Sequence, residues 1–495
     1  MSSLFASLIV MIYLVALLFT LKTSFSYAVS NEDKKGFDTI SSHCILRNII
    51  SFLPALEILN VVKLKKSPKS IDCAISVCSD IPLIIKGKKI SDDYFSSKNN
   101  NYGCYSQIKK LEIVNSTFNP KMLEHIPETL TELSIDSIEY PLGTNAREFN
   151  EELIDTIVKK FKNLEKLDLR NCHITITPKM IEAISTMSKL THLGLSHNSI
   201  HLDTVNKFDK LKNINSLDLS YSKINNEQVM KISKMDNIAF LNLSGNELSS
   251  ENAQEIFKMS NLVSLDLSKN NINYLKNEAL SEMKNLTHLN LARNDICFFS
   301  DQYTSKKSSL THLNLSGNKL FSDAAHKIFK MSNLVSLDLS NNDISYLKNE
   351  ALSEMKNLTH LNLARNDIYF FGDQYTSKKS SLTYLNLSSN RINADSIRGL
   401  SLLKSITDLD LSRNHIIDKE VVLISKMKNL THLKLSQNEI RDKGACALSG
   451  MSNLIQLDLS DNKIGDDGAS AISEMKNLTH LNISKNRIGN KGAHA

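Results

Sequence analysis

The chain has 495 residues, of which 41% are hydrophobic, with only 15 glycines and 7 prolines, so a folded protein without long disordered linkers is expected. Lysine and arginine number 59 against 53 acidic residues, a net charge of +6. Residues 29–163 hold 18 charges of each sign, so no basic arm is set apart, and neither nucleic acid nor an anionic membrane surface is expected as a partner.

From Leu4 to Leu21 no residue is charged, and Lys22 carries the first charge. Ser26-Tyr27-Ala28 places small residues at −3 and −1 of a cleavage after Ala28, the pattern of a secretory signal peptide. No basic residue precedes the apolar run, and its length also suits a retained membrane anchor or a buried helix. Residues 1–28 are therefore read as a signal peptide or anchor, and the chain as secreted or membrane-anchored. The seven cysteines are Cys44, Cys73, Cys78, Cys104, Cys172, Cys297 and Cys446, an odd number that leaves one unpaired within the chain. Cys73 and Cys78 can form one disulfide or remain free buried thiols. No histidine stands near them at zinc-ligand spacing.

Residues 29–104 read as a helical N-terminal cap. Ser41-Ser42 can cap a helix with Ile45, Leu46, Ile49 and Ile50 on one face, and Leu56, Ile58, Leu59 and Val62 begin another. Over 37–70, Ile45-Leu46, Ile49-Ile50-Ser51-Phe52-Leu53-Pro54 and Glu57-Ile58-Leu59 resemble the F-box, a helical adaptor that docks substrate receptors onto cullin-type ubiquitin ligases. The family's early Leu-Pro falls on Ser41-Ser42, its glutamate on Cys44 and its late tryptophan on Pro68. Residues 71–104 follow as short apolar runs with turn signals.

Two degenerate repeats, Ile108–Ile113 and Leu130–Ile135, start 22 residues apart in 105–163. After them 148–161 carries Phe149, Leu153, Ile154, Ile157, Val158 and Phe161 at helical spacing. A regular pattern then begins. The form L-x-x-L-x-L-x-x-N-x-I starts at Leu164 and returns every 24 residues from Leu190 to Leu478, making fourteen copies over 164–495. In LTHLNLARNDI, Leu289 and Leu291 alternate with Asn290, which predicts a short strand with one buried face. Each buried leucine contributes roughly 1.5–3 kcal/mol, so one unit cannot offset its ordering entropy but a stack can. The terminal asparagine both donates and accepts, and is read as closing backbone groups inside the coil; Ser222 and Cys172 replace it in two copies, which are expected to be locally weaker.

This pattern resembles the leucine-rich-repeat superfamily. The resemblance implies an α/β solenoid, a curved horseshoe with a parallel β-sheet on its concave face and short helices on its convex face. KIGDDGASAISEM and EIRDKGACALSGM resemble the ribonuclease-inhibitor-like branch, with Gly468 and Gly444 read as preceding convex helices. FFSDQYTSKKSS (298–309) and FFGDQYTSKKSS (370–381) suit irregular loops better. They belong to a longer duplication, since 259–318 and 331–390 agree at 53 of 60 positions.

The outward strand positions define the concave surface. It is polar, and binding hot spots favour tyrosine and arginine, so the best patch runs over the repeats starting at 286 to 406. Its candidate protein-binding residues are His288, Asn290, Arg293, His312, Asn314, His360, Asn362, Arg365, Tyr384, Asn386, Asp408, Asp410 and Arg413. The histidine column has no assured third ligand for a metal, and no nucleophile–base pair, HExxH or phosphate-cradling loop is present. No catalysis, metal or cofactor is expected. The reading is a secreted or surface protein that binds a protein ligand on its concave face. The alternative is an F-box and leucine-rich-repeat substrate receptor of a ubiquitin ligase, acting in a host cytoplasm after export. No charged cap follows Leu478–Ile488, so fraying of 478–495 is expected first, with dimerisation through the last repeat or continuation in a longer chain as the alternatives.

Overall fold

Leucines at alternate positions force each repeat to place one short strand against its neighbours, and the 24-residue period sets those strands in register. In the computed structural model, which describes residues 83–86, 108–141, 143–275, 283–298, 308–347, 355–371 and 380–495, 17 of the described strands form one parallel sheet. Equivalent leucines pair from coil to coil, Leu265 with Leu289, Leu289 with Leu313 and Leu313 with Leu337. Leu286, Leu289, Leu291 and Ile296 are buried, and their counterparts above and below continue the same apolar column. The fold is the leucine-rich-repeat solenoid that the period predicts. The readings of 1–28 and 37–70, and of Cys44, Cys73, Cys78 and Cys104, lie outside the described residues.

The degenerate repeats are true coils. Lys110–Ser116 and Glu132–Ile138 pair in parallel, Leu111 with Leu133 and Ile113 with Ile135. The helix expected over 148–161 spans Ala146–Lys160, with the Asn145 side chain accepting from Arg147 N at its start. It buries Phe149, Leu153, Ile154 and Ile157. The sheet also starts earlier than the repeats reveal. Leu83–Lys86 is a strand paired to the first degenerate repeat, Leu83 with Leu111, although 29–104 reads as a helical cap.

Short helices stand on the side opposite the sheet, among them Ser322–Ile328, Ala394–Leu400, Asp442–Ser449 and Asp466–Ser473. Gly444 and Gly468 lie inside the last two rather than before them. The reason is the preceding coil: Asp418 Oδ1 accepts from Arg441 N at 2.8 Å and Gly444 N at 3.0 Å, and a Cβ on Gly444 would sit 2.6 Å from that oxygen. Asp442 repeats this at Gly468. Elsewhere short strand pairs occupy this side, Thr175–Ile176 with Ser199–Ile200 and Tyr346–Leu347 with Phe370–Phe371. Among the described residues no helix is long and apolar enough to cross a membrane.

Candidate protein-binding face

The open face of the sheet is built from columns, one residue per strand. The first holds His288, His312, Ser336, His360, Tyr384, Asp408 and His432, brought side by side by the parallel register. The threonine before each histidine fixes its ring. Thr287 Oγ1 lies 3.1 Å from Val263 O and 2.8 Å from His288 Nδ1, bridging the two. The ring is thus held through Nδ1, and Nε2 takes no part in this contact. Thr311–His312 and Thr359–His360 have the same arrangement. His288 and His312 stack with centroids 4.2 Å apart, and His360 lies on Tyr384 at 5.7 Å. Burial lowers the His312 pKa, and the neighbouring imidazoles of His288 and His360 lower it further.

The second column, Asn290, Asn314, Asn362, Asn386 and Asp410, is turned inward on its own bonds. Asn290 Oδ1 accepts from Ala292 N at 3.1 Å while its Nδ2 donates to Asp266 Oδ2 at 2.9 Å. Asn362 does the same with Ala364 N and Asp338 Oδ2. Asn314, Asn386 and Asp410 each accept from the backbone N–H two residues on. Asp408 Oδ2 accepts from Thr407 Oγ1 at 2.6 Å, and its Oδ1 lies 3.2 Å from His432 Nδ1. These groups shape the face more than they offer free bonds. Gly194 interrupts this column because Asp168 fills its space: a Cβ there would lie 2.5 Å from Asp168 Oδ1. Burial pushes the Asp168 carboxyl up, against the opposing pull of Arg170 at 2.6 Å.

The third column supplies the open charges. Arg293, Arg365 and Arg413 all have left-handed backbone, with φ of 55°, 52° and 59°, and all are exposed. The nearby ion pairs, Lys319–Asp295 and Arg391–Asp367, join residues two positions further along each coil, and among the described residues none forms an ion pair with the three arginines. The thirteen candidate residues thus share one surface, with arginine and histidine as its available groups.

Sequence reasoning passed over an aromatic extension of this face. His197 stacks on Tyr221 at 4.4 Å, and Lys269 Nζ donates to Tyr221 Oη at 2.5 Å across Gly245. Gly245 is required there, since a Cβ would meet the Tyr221 ring at 2.6 Å. Phe240, 44% exposed, lies on the same face in the first column, paired with Ser216. Tyr221 and Phe240 were legible as column members, but the reach of Lys269 across two coils was not. A second asparagine ladder was also missed: Asn285, Asn357, Asn429 and Asn477 each donate to the carbonyl 25 residues earlier. The signal was the asparagine that precedes the opening leucine or isoleucine in ten of the fourteen copies. Among the described residues no three histidine, cysteine or acidic side chains are placed to hold a metal ion.

Family profiles described as Leucine rich repeat match residues 236–296, 308–368 and 428–488, and two further repeat profiles match 378–401 and 163–184. No curated protein sequence matches the chain. Among solved structures, a leucine-rich-repeat protein of Leptospira interrogans is 21% identical with a TM-score of 0.50, covering 83% of this chain and 97% of that one. TLR13, solved in complex with ssRNA13, is 20% identical with a TM-score of 0.56 over 82% of this chain and 71% of its own. Toll from Drosophila, solved with Spatzle, is 16% identical with a TM-score of 0.54, over 82% of this chain and 61% of that one. At these identities the likeness is one of fold. The repeat profiles, the 24-residue period and the single parallel sheet together make this chain a leucine-rich-repeat protein.

Proposed function

We propose that this is an exported protein whose open sheet face binds a protein partner. The carrying observation is the division of labour on that face. Its backbone and amide groups are bonded internally, while Arg293, Arg365, Arg413 and the histidine Nε2 atoms stand free of that network. A surface held this way loses little freedom on binding, so contacts made by its free groups convert efficiently into affinity. Export is supported by the uncharged Leu4–Leu21 run, and the convex helices of seven or eight residues support placement in the ribonuclease-inhibitor-like branch. The solenoid supports a binding scaffold rather than an enzyme. The second reading, a ubiquitin-ligase substrate receptor, is supported by the F-box-like residues of 37–70 and would use the same face for its target.

Photo-crosslinking tests the reading. A benzoylphenylalanine in place of Tyr384, on the sheet face, is expected to capture a protein partner at the cell surface. The same group in place of Val422, exposed on the helix Asp418–Ile424, is expected to capture none. Capture from Val422 alone would overturn the proposal.

A further inference from the structure

We infer that the sheet face holds two equivalent subsites, which together grip one extended acidic segment of the protein partner. The inference rests on the proposed binding function and names the chemistry of the partner. The duplication of 259–318 in 331–390 extends to the face itself. Asp266, His288, Asn290 and Arg293 of the first copy recur as Asp338, His360, Asn362 and Arg365. Their geometry recurs too. Asn290 Nδ2 donates to Asp266 Oδ2 at 2.9 Å, and Asn362 Nδ2 to Asp338 Oδ2 at 3.0 Å. The Thr–His contact is 2.8 Å in both, and the two arginines share the left-handed backbone at φ 55° and 52°.

Each subsite therefore offers one guanidinium fork and one imidazole edge. The carboxylates beneath are already engaged: Asp266 accepts from Ser268 N as well as Asn290, and Asp338 from Ser340 N as well as Asn362. The fork matches a carboxylate in bidentate geometry, and the imidazole Nε2 can exchange a hydrogen bond with an adjacent peptide group. The same column carries Lys269 before and Arg413 after, and no acidic residue enters it until Asp461. That stripe is complementary to an acidic chain laid across the strands. The subsites are three strands apart, roughly 14 Å at ~4.8 Å per strand. An extended peptide rises about 3.3 Å per residue, so acidic residues at i and i+4 reach both arginines. A nucleic acid fits less well. His288 and His312 are stacked on each other and His360 lies on Tyr384, so these rings do not stand open as a base platform.

The test uses the full chain and two fluorescent serine–glutamate peptides of equal charge, one with glutamate at every fourth position and one with its glutamates contiguous. At low salt the spaced peptide should bind roughly tenfold tighter. Arg293→Ala and Arg365→Ala should each remove most of that preference, Arg293→Lys should restore only part, and the double variant should abolish it, with thermal melts unchanged. Equal binding of the two peptides, indifference to both arginines, or tighter binding of oligouridylate than of either peptide would overturn the inference. Crosslinking from the Tyr384 position separates the two levels. Capture that persists in the double variant sinks the subsites but keeps the binding face, while no capture from that position in the unaltered background sinks the face as well.

Discussion

Asn366 ties two coils together with one amide. Its Nδ2 donates to Leu339 O and Leu363 O, both at 3.0 Å, and its Oδ1 accepts from Ile344 N at 3.1 Å. Asn366→Ala should lose on the order of 1–3 kcal/mol in a denaturant melt, because buried backbone groups are left unpaired. Ser222 has one hydroxyl proton for the same work, shared between Leu195 O and Ser220 O, so Ser222→Asn should gain about 1 kcal/mol. Cys172, at the other exception, shares its single weak S–H between Ile135 O and Arg170 O, and burial pushes its thiol up to about 12. Native protein treated with iodoacetamide at pH 8 should be alkylated at the exposed Cys297 and Cys446 and spared at Cys172. His312 gives the pH dependence. Its folded-state pKa is depressed, so the neutral ring is the form the fold favours. The stability it contributes is present above the ordinary histidine value and is lost as pH falls through the depressed one. In an NMR titration its midpoint should lie below that of an unfolded-chain histidine. His288→Ala should raise that midpoint only part of the way, since burial is the larger cause.

The turn that ends each strand is the element under most constraint. The residue before the ladder asparagine takes left-handed backbone in coil after coil, at Arg293, Asn341, Arg365, Ser389 and Arg413 as well as at Gly245 and Gly317. A left-handed non-glycine residue costs roughly 1–2 kcal/mol, so Ser389→Gly, which copies Gly317, should raise stability by a fraction of that in a thermal melt. Gly245→Ala should do the opposite, through strain at φ 66° and collision with Tyr221, and should displace Tyr221 from Lys269 in the same variant. This conformation is hidden in the sequence, because arginine and serine do not announce a positive φ as glycine does. The strands were legible from leucine alternation, and the asparagine ladder from its period. Leu83–Lys86 was not, since Leu-Ile-Ile-Lys lacks the repeat frame and only its pairing with Leu111 identifies it. For the site, the columns could be listed from the period. The threonine-fixed imidazoles and the internally bonded amides needed coordinates, because each depends on a carbonyl or carboxylate 24 residues away.

At the scale of the whole solenoid, stability is close to a sum over coils and their nearest-neighbour interfaces, and this gives the duplication a physical meaning. Pairing in register needs only that leucine meet leucine, as Leu313 meets Leu337 and Leu385 meets Leu409. Removing residues 319–390 joins Asn318 to Arg391, which follows an equivalent asparagine, and so excises three whole coils without breaking the frame. The strand His312–Asn314 would then pair with Asp408–Asp410, leucine on leucine as before. The expected product folds and melts cooperatively, with an unchanged circular dichroism signal per residue and a shorter particle in X-ray scattering. A molten or aggregated product would show that the coils are not interchangeable and that the two copies carry distinct long-range roles. The excision also leaves one subsite where there were two. If bridging underlies the preference for spaced glutamates, the shortened chain should stay folded yet no longer distinguish the spaced peptide from the contiguous one. Stability and recognition would then respond separately to the loss of the same three coils.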